Sequence, residues 1–128
     1  MTEPQIIQAE KPQRDALIIY AFLGRLGKKC TKNEVLEAVS SSARDNTLDW
    51  AQDAVSGFGF LCNGGYTKVS NITPAITPAL AVGKNGQLAI IEKVRKNRIS
   101  LYESSSGKQR HLTSKGFKDW YSGQLMIA

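Results

Sequence analysis

The apolar segment of residues 16–26 is the sequence feature that most limits the fold. It is apolar on nearly every side of a helical wheel, so a helix formed by it has to be buried over most of its surface. Pro12 suits the first turn of such a helix and Gly27 suits its end. The uninterrupted apolar run, residues 16–23, is shorter than the roughly 20 residues that a membrane helix needs. The sequence therefore predicts a central helix in a globular core and no membrane insertion.

Two more helices are predicted before residue 60. Thr31 and Glu34 have the spacing of a capping box, in which the hydroxyl and the carboxylate each accept a backbone N–H at the helix start. Thr47 is the expected cap of the next helix, and Gly57 and Gly59 close it. The residues at helical spacing that we expect to face inward are Val35, Leu36, Val39, Leu48, Ala51, Ala54 and Val55.

From residue 60 the pattern changes to short β-type runs, at residues 66–69, 79–82, 88–94, 99–102 and 125–127. Lys96 and Asn97 are expected to turn the chain between two antiparallel strands. Thr113 is expected to start a short helix that inserts Phe117 and Trp120. Helices followed by strands predict an α+β fold, with N-terminal helices packed on a C-terminal antiparallel sheet.

The length of 128 residues fits one domain. Residues 1–10 show no clear periodicity and are expected to form a flexible arm, so the folded domain is placed at residues 11–128. Cys30 and Cys62 lack the spacing of metal ligands and are expected to be reduced thiols of a cytosolic protein. We expect no metal and no cofactor, because the glycine pairs at residues 57–59 and 64–65 match no phosphate-binding loop.

The net charge of +6 allows an alternative as a basic nucleic-acid-binding regulatory module. The basic residues form two separate groups, one at residues 25–32 and one at residues 93–98. Neither group has the aromatic side chains between its basic residues on which bases stack. The pattern therefore favours a protein that binds no nucleic acid.

A second alternative is a thiol hydrolase or peptidase. A cysteine nucleophile needs a histidine as base, and the chain has one histidine, His111. Cys30 or Cys62 would have to pair with it, although neither is near it in sequence. Lysines on both sides of Cys30 are of the kind that lower a thiol pKa. The more economical interpretation is two inert cysteines and a surface histidine.

Four segments carry a resemblance to known proteins. They are residues 16–23 running to Gly27, Thr77-Pro78-Ala79-Leu80, the segment of residues 85–94, and Trp120-Tyr121-Ser122-Gly123 before a last strand. In this order they resemble the C39 peptidase domain of bacterial peptide exporters, and in particular its inactive C39-like relatives at the N-terminus of type I secretion ABC transporters. The resemblance covers about residues 8 to 128 and implies a papain-like cysteine-peptidase fold.

The same resemblance implies that the catalytic residues are absent. Arg14 lies at the position of the family's cysteine, and Leu88 at that of its histidine, two residues after the Asn85-Gly86 turn. Glu103 lies at the position of the orienting aspartate. Gln8 matches the glutamine that stabilises the oxyanion. A hydrogen-bond donor without nucleophile and base cannot perform acyl transfer, so the resemblance implies a domain that is not an enzyme.

By the same resemblance, the domain binds an unfolded secretion substrate, such as an RTX-type (calcium-binding repeat) toxin or adhesin. It would lie at the cytoplasmic face of the bacterial inner membrane, joined to the membrane and nucleotide-binding domains of the transporter. In the haemolysin exporters an aromatic pair helps to bind the substrate, and its positions correspond here to Arg25 and Val82. The expected substrate-binding surface comprises Tyr20, Arg25, Val82 and Leu88.

Overall fold

The computed structural model describes residues 15–41, 47–103 and 108–128. The predicted arm at residues 1–10, the helix start near Pro12, Gln8 and Arg14 lie outside these residues. The helices are α1 (residues 15–25), α2 (Lys32–Ser41), α3 (Thr47–Ser56) and α4 (Ser114–Trp120). The strands are β1 (Asn63–Tyr66), β2 (Ala79–Gly83), β3 (Leu88–Arg95), β4 (Arg98–Glu103), β5 (Lys108–Thr113) and β6 (Tyr121–Ile127).

Helix α1 is the central helix that the sequence predicts. Ile18, Ile19, Phe22 and Leu23 are fully buried. The helix ends where Gly27 adopts a φ of 84° and the Lys28 N–H donates to the Leu23 carbonyl at 2.9 Å. This is the left-handed glycine termination that satisfies carbonyls left open at a helix end.

The capping box of α2 is present. The Glu34 N–H donates to the Thr31 hydroxyl at 3.1 Å, and the Thr31 N–H donates to the Glu34 carboxylate at 2.8 Å. The Glu34 carboxylate is stabilised in its charged form by the Thr31 backbone N–H and, to a smaller extent, by the Thr31 side chain, so the pKa of Glu34 lies below its usual value. The predicted role of Thr47 differs in the structure: its hydroxyl donates to the Gly86 carbonyl at 3.2 Å, and thereby joins the start of α3 to the β2–β3 turn.

The sheet has six antiparallel strands in the order β1-β6-β2-β3-β4-β5. Three sequence predictions need correction. The first strand is Asn63–Tyr66 rather than residues 66–69, and Val69–Asn71 is a short 3-10 helix. Strand β5 was not predicted, and β6 is longer than the predicted residues 125–127. Both missed regions are mostly polar, and polar residues weaken the alternation from which strands are predicted.

Each face of the sheet has its own hydrophobic core. Helices α1, α2 and α3 cover one face, here called the three-helix face, and helix α4 covers the other, here called the α4 face. Trp50 is buried on the three-helix face, and Phe117 is fully buried on the α4 face. The sheet residues facing the three helices are Leu80, Val82, Leu88, Ile90 and Met126, and those facing α4 are Ala79, Ala81, Ala89, Ile91, Ile99, Leu101, Tyr121 and Leu125.

Trp120 is partly buried rather than fully in the core, and its indole lies directly over Gly83. A Cβ at Gly83 would stand 2.5 Å from the nearest indole atom. Strand β2 therefore needs a glycine here for packing.

We predict opposite effects for two glycine-to-alanine substitutions. Gly83→Ala should lower the free energy of unfolding by about 1–3 kcal/mol, because the methyl group forces Trp120 from its position. Gly24→Ala should raise it by about 0.5–1 kcal/mol, because Gly24 lies in α1 with open space around its Cβ position. Urea denaturation followed by circular dichroism measures both. An unchanged stability of Gly83→Ala would show that the indole moves away without cost.

Candidate functional site

The positions that the resemblance assigns to the catalytic residues lie partly within the described residues. Arg14 lies outside the described residues, next to the first described residue of α1. Leu88 opens β3, and its side chain is 5% exposed in the core of the three-helix face. Gln8 lies outside the described residues as well.

Glu103 points away from Leu88. It closes β4 and pairs in register with Ala89, and these two residues share the α4 face with Leu101. The side chain of Leu88 lies on the three-helix face instead. The Glu103 carboxylate is buried and accepts a hydrogen bond from Arg110 Nη1 at 2.8 Å. Glu103 therefore forms an ion pair within the α4 face and does not orient a group at position 88.

The four predicted binding residues separate into two pairs. Tyr20 and Arg25 line an open surface groove along α1, whereas Val82 and Leu88 are buried beneath the helices. The groove has a volume of about 860 Å³. Sequence reasoning missed the remaining residues of its wall, which are Leu17, Ala21, Gly24, Gly27, Lys28, Lys29, Cys30, Lys32 and Tyr102. The helical spacing of Leu17, Tyr20, Ala21 and Gly24 on one side of α1 was a signal for part of this set.

Arg25 holds α1 to the sheet. Its Nε donates to Glu92 Oε2 at 2.7 Å, and its Nη1 donates to the Ala21 carbonyl at 3.0 Å. The guanidinium lies 4.9 Å from the ring centroid of Tyr102, a cation–π distance. Glu92 also accepts a hydrogen bond from Gln109 Nε2 at 2.8 Å. One network thus connects α1 to β3, β4 and β5.

The charge of Arg25 is compensated by Glu92, so the free positive charge of the groove comes from Lys28, Lys29 and Lys32. Within the described part of the chain none of these lysines forms an ion pair. The Lys32 ammonium lies 5.8 Å from the Tyr20 ring. With Leu17 exposed to 44%, the wall combines apolar and aromatic surface with lysines. Such a surface is suited to an extended chain with apolar and acidic side chains.

Neither cysteine is in an environment that activates a thiol. Burial raises the pKa of Cys30, the Glu34 carboxylate raises it further, and Lys28 opposes them without reversing the direction. The lysines expected to lower this pKa do not dominate it. Burial raises the pKa of Cys62 as well.

The structure also separates Cys62 from the only histidine. Cys62 precedes β1 at one edge of the sheet, and His111 lies on β5 at the other edge. Five strand spacings put the two edges roughly 24 Å apart. His111 Nδ1 and the Ser100 hydroxyl form a hydrogen bond of 2.8 Å. Neither cysteine is hydrogen-bonded to His111 among the described residues.

The described residues provide neither a cluster of metal-binding side chains nor a membrane helix. No group of three or more histidine, cysteine, aspartate or glutamate side chains in residues 15–41, 47–103 and 108–128 is arranged to hold a metal ion. Among the same residues, no helix is long and apolar enough to cross a membrane.

Known structures resemble the chain in fold. One is the N-terminal peptidase C39-like domain of the toxin secretion ATP-binding protein from Vibrio parahaemolyticus, with a TM-score of 0.69, 16% identity, and coverage of 91% of this chain and 94% of that one. Another is a double-glycine-motif protease from an AMS/PCAT transporter in complex with the leader peptide, with a TM-score of 0.73, 11% identity, and coverage of 88% and 81%. The chain has the C39-like peptidase fold. No family model and no curated protein sequence matches it.

This similarity confirms the predicted α+β class and the predicted structural resemblance. At 16% and 11% identity the similarity shows the fold alone, and the chemistry has to be inferred from the residues of this chain. Among the described residues, the groove beside α1 is one surface that can bind a partner, and Cys30 and Cys62 are the thiols that a hydrolase would need.

We predict that both thiols react slowly in the folded protein. A raised pKa means less thiolate at pH 7, so iodoacetamide should modify Cys30 and Cys62 more slowly than in the same chain unfolded in urea. The rates of the folded protein should keep rising above pH 9. Mass spectrometry of each cysteine peptide measures them. Faster modification of the folded than of the unfolded chain at pH 7 would contradict this prediction and would favour the thiol hydrolase.

Proposed function

We propose that this domain is a non-catalytic polypeptide-binding domain of a type I secretion ABC transporter. It binds the unfolded secretion substrate, an RTX-type toxin or adhesin, at the cytoplasmic face of the bacterial inner membrane. The fold it shares with a domain of a toxin secretion protein and with a leader-peptide-bound protease supports this context. The membrane and nucleotide-binding domains of the transporter are its proposed covalent partners.

The observation that carries the non-catalytic part is the state of position 88. A histidine base has to present a ring nitrogen to the nucleophile, but Leu88 is apolar and packed in the core of the three-helix face. Arg14 stands in sequence where the nucleophile would be. The acid at position 103 belongs to the opposite face of the sheet and is paired with Arg110.

The groove beside α1 supports the binding part. Its wall offers Leu17, Tyr20 and Tyr102 for apolar and aromatic contact, and lysines for acidic side chains. RTX repeats are rich in aspartate and are unfolded without calcium, so their extended form presents both backbone and carboxylates. A calcium-folded repeat would withdraw these groups. The groove therefore favours the unfolded over the folded substrate.

We predict calcium-sensitive and salt-sensitive binding of the cognate C-terminal cargo region. Calorimetric titration of the domain should show binding without calcium and at least tenfold weaker binding when calcium folds the cargo. The dissociation constant should rise several-fold between low and high salt, because exposed charge pairs are screened. Equal affinity for the calcium-folded cargo would refute the mechanism, and salt-insensitive binding to the unfolded form would refute its electrostatic part.

Substitutions along the groove beside α1 test whether the cargo binds there. Tyr20→Ala should weaken it about tenfold, because aromatic side chains at the centre of an interface contribute strongly. Lys32→Gln should remove part of the salt dependence, whereas Lys96→Gln removes the same charge from the β3–β4 turn and should leave binding unchanged. Cys30→Ser should bind normally, since no thiol chemistry is involved.

We predict that Arg14→Cys combined with Leu88→His produces no efficient peptidase. A histidine at position 88 would be placed among apolar side chains, and the Glu103 carboxylate lies on the other face of the sheet, so nothing described would orient the ring. Cleavage of a double-glycine leader peptide, followed by mass spectrometry, measures the activity, with circular dichroism to verify folding. Efficient turnover by a folded double variant would show that the catalytic site is intact apart from two side chains.

A further inference from the structure

Of the two edge strands of the sheet, β5 carries a side chain that discourages pairing with another chain and β1 does not. Strand β5 carries the exposed, charged Arg110, and charged residues are a common protection of sheet edges. Strand β1 has the sequence Asn-Gly-Gly-Tyr, without charge or proline, and all four residues are exposed. Leu61 before it is 95% exposed and Tyr66 at its end is 83% exposed. An unprotected edge flanked by apolar side chains is a site at which a further strand can add.

The backbone of β1 has groups available for such a strand. The Thr67 N–H donates to the Gly123 carbonyl at 2.8 Å, which continues the β1–β6 register by one residue. Because hydrogen-bonded pairs alternate in an antiparallel ladder, Asn63 and Gly65 direct their N–H and C=O groups toward β6. Gly64 and Tyr66 then direct theirs outward from the sheet. Neither accepts or donates another hydrogen bond among those found in the described residues.

The glycine at position 65 is not required by the fold. Its φ lies outside the left-handed region, and an added Cβ would have no neighbour within 4 Å. Glycine weakens a strand interior, and it often marks a place where another backbone approaches closely. Here it leaves a shallow groove open beside β1, floored by Ile76, Leu125 and Ile127.

This groove continues into a basic basin at the end of β1. The two share Thr67, and the basin is lined by Lys68, Lys84, Lys115 and Lys118 together with several hydroxyl groups. None of the four lysines forms an ion pair with a described residue. Residues 63–128 hold ten of the chain's 17 lysines and arginines but three of its 11 acidic residues. Two of those three, Glu92 and Glu103, are already paired with arginines.

The geometry points to a second binding site, at the β1 edge, for an extended acidic segment of another polypeptide. The segment adds as an antiparallel strand through the outward backbone groups of Gly64 and Tyr66. Antiparallel pairing places the N-terminal part of the segment at the end of β1, so its acidic residues come first and enter the lysine basin. Apolar residues follow along the groove over Leu125. This site is separate from the α1 groove, and it does not depend on the secretion function proposed above.

The test uses a synthetic peptide with an aspartate block followed by alternating valine and threonine, titrated into the 15N-labelled full chain. We expect amide exchange at Gly64 and Tyr66 to slow about tenfold at saturation, with no change on β5. A peptide with asparagine in place of aspartate should bind at least tenfold more weakly. The overturning result is binding that leaves both β1 amides unprotected.

Matched variants test separately the strand pairing at the β1 edge and the charge of the lysine basin. Gly65→Gln and Gly65→Glu both place a side chain in the groove beside β1 and should weaken binding, Gly65→Glu more strongly because its charge also repels the acidic block. Lys118→Glu should weaken binding, whereas Lys93→Glu, an equal charge change on β3, should not. Tyr66→Pro removes one outward N–H and should weaken binding while the fold persists. Equal affinities across these variants would overturn the site.

Other occupants give different results. Protection of Gly64 and Tyr66 that grows with protein concentration in the absence of peptide, together with a dimer in analytical ultracentrifugation, would identify a second copy of the chain and overturn the proposal. Tighter binding of single-stranded RNA than of the acidic peptide would assign the lysines to nucleic acid and overturn it as well. Failure of the unfolded cargo to bind the domain, with the aspartate peptide still bound at the β1 edge, would refute only the secretion function.

Discussion

The network formed by Arg25, Glu92, Tyr102 and Gln109 holds the central helix on the sheet, and the candidate groove depends on it. The apolar side of α1 supplies the burial, with Ile18, Phe22 and Leu23 close-packed in the core of the three-helix face. Directional bonds from one guanidinium to β3, and from β3 to β5, define one position. That position leaves Leu17, Tyr20 and Gly24 along the wall of the groove.

The same network explains why the positive charge of Arg25 does not by itself make it a substrate-binding residue, since Glu92 compensates that charge. The family resemblance predicts that Arg25 lies on a binding surface, and in the structure its guanidinium forms an ion pair with Glu92 and a cation–π contact with Tyr102. Its aliphatic part still lines the groove. The lysines that follow α1 form no ion pair with a described residue, and they supply the groove's electrostatic attraction. Structural and binding roles are thus divided between neighbouring basic residues.

The alternation of side chains along each strand determines which residues lie on the same face of the sheet and could act together. Leu88 and Glu103 are close in the ladder, yet one faces α1 and the other faces α4, because successive side chains of a strand point to opposite faces. A sequence alignment does not reveal which face each residue takes, because a β-bulge between Ile91 and Lys93 shifts the pairing of β3 with β4.

The two edge strands of the sheet are harder to predict from the sequence than the central strands. Strand β5 is mostly polar and was not predicted, and β1 contains two glycines and was predicted at residues 66–69 instead. An edge strand buries too few side chains to show the alternation of apolar and polar residues from which strands are predicted.

The sequence by itself determined the elements whose residues are chosen by burial or by a local bond. The buried face of α1, the capping box of α2, the core of α3 and the central strands β2, β3 and β4 all follow from periodicity or from contacts within four residues. The resemblance of four segments, taken in order, to the C39 peptidase domain indicated the fold that the structure shows. The tertiary structure alone decided which side of the sheet each residue faces, that Val82 and Leu88 lie under the helices while Tyr102 reaches the surface, and which lysines gather around Thr67. These outcomes depend on strand register and on contacts between distant segments, and neither leaves a periodic signal in the sequence.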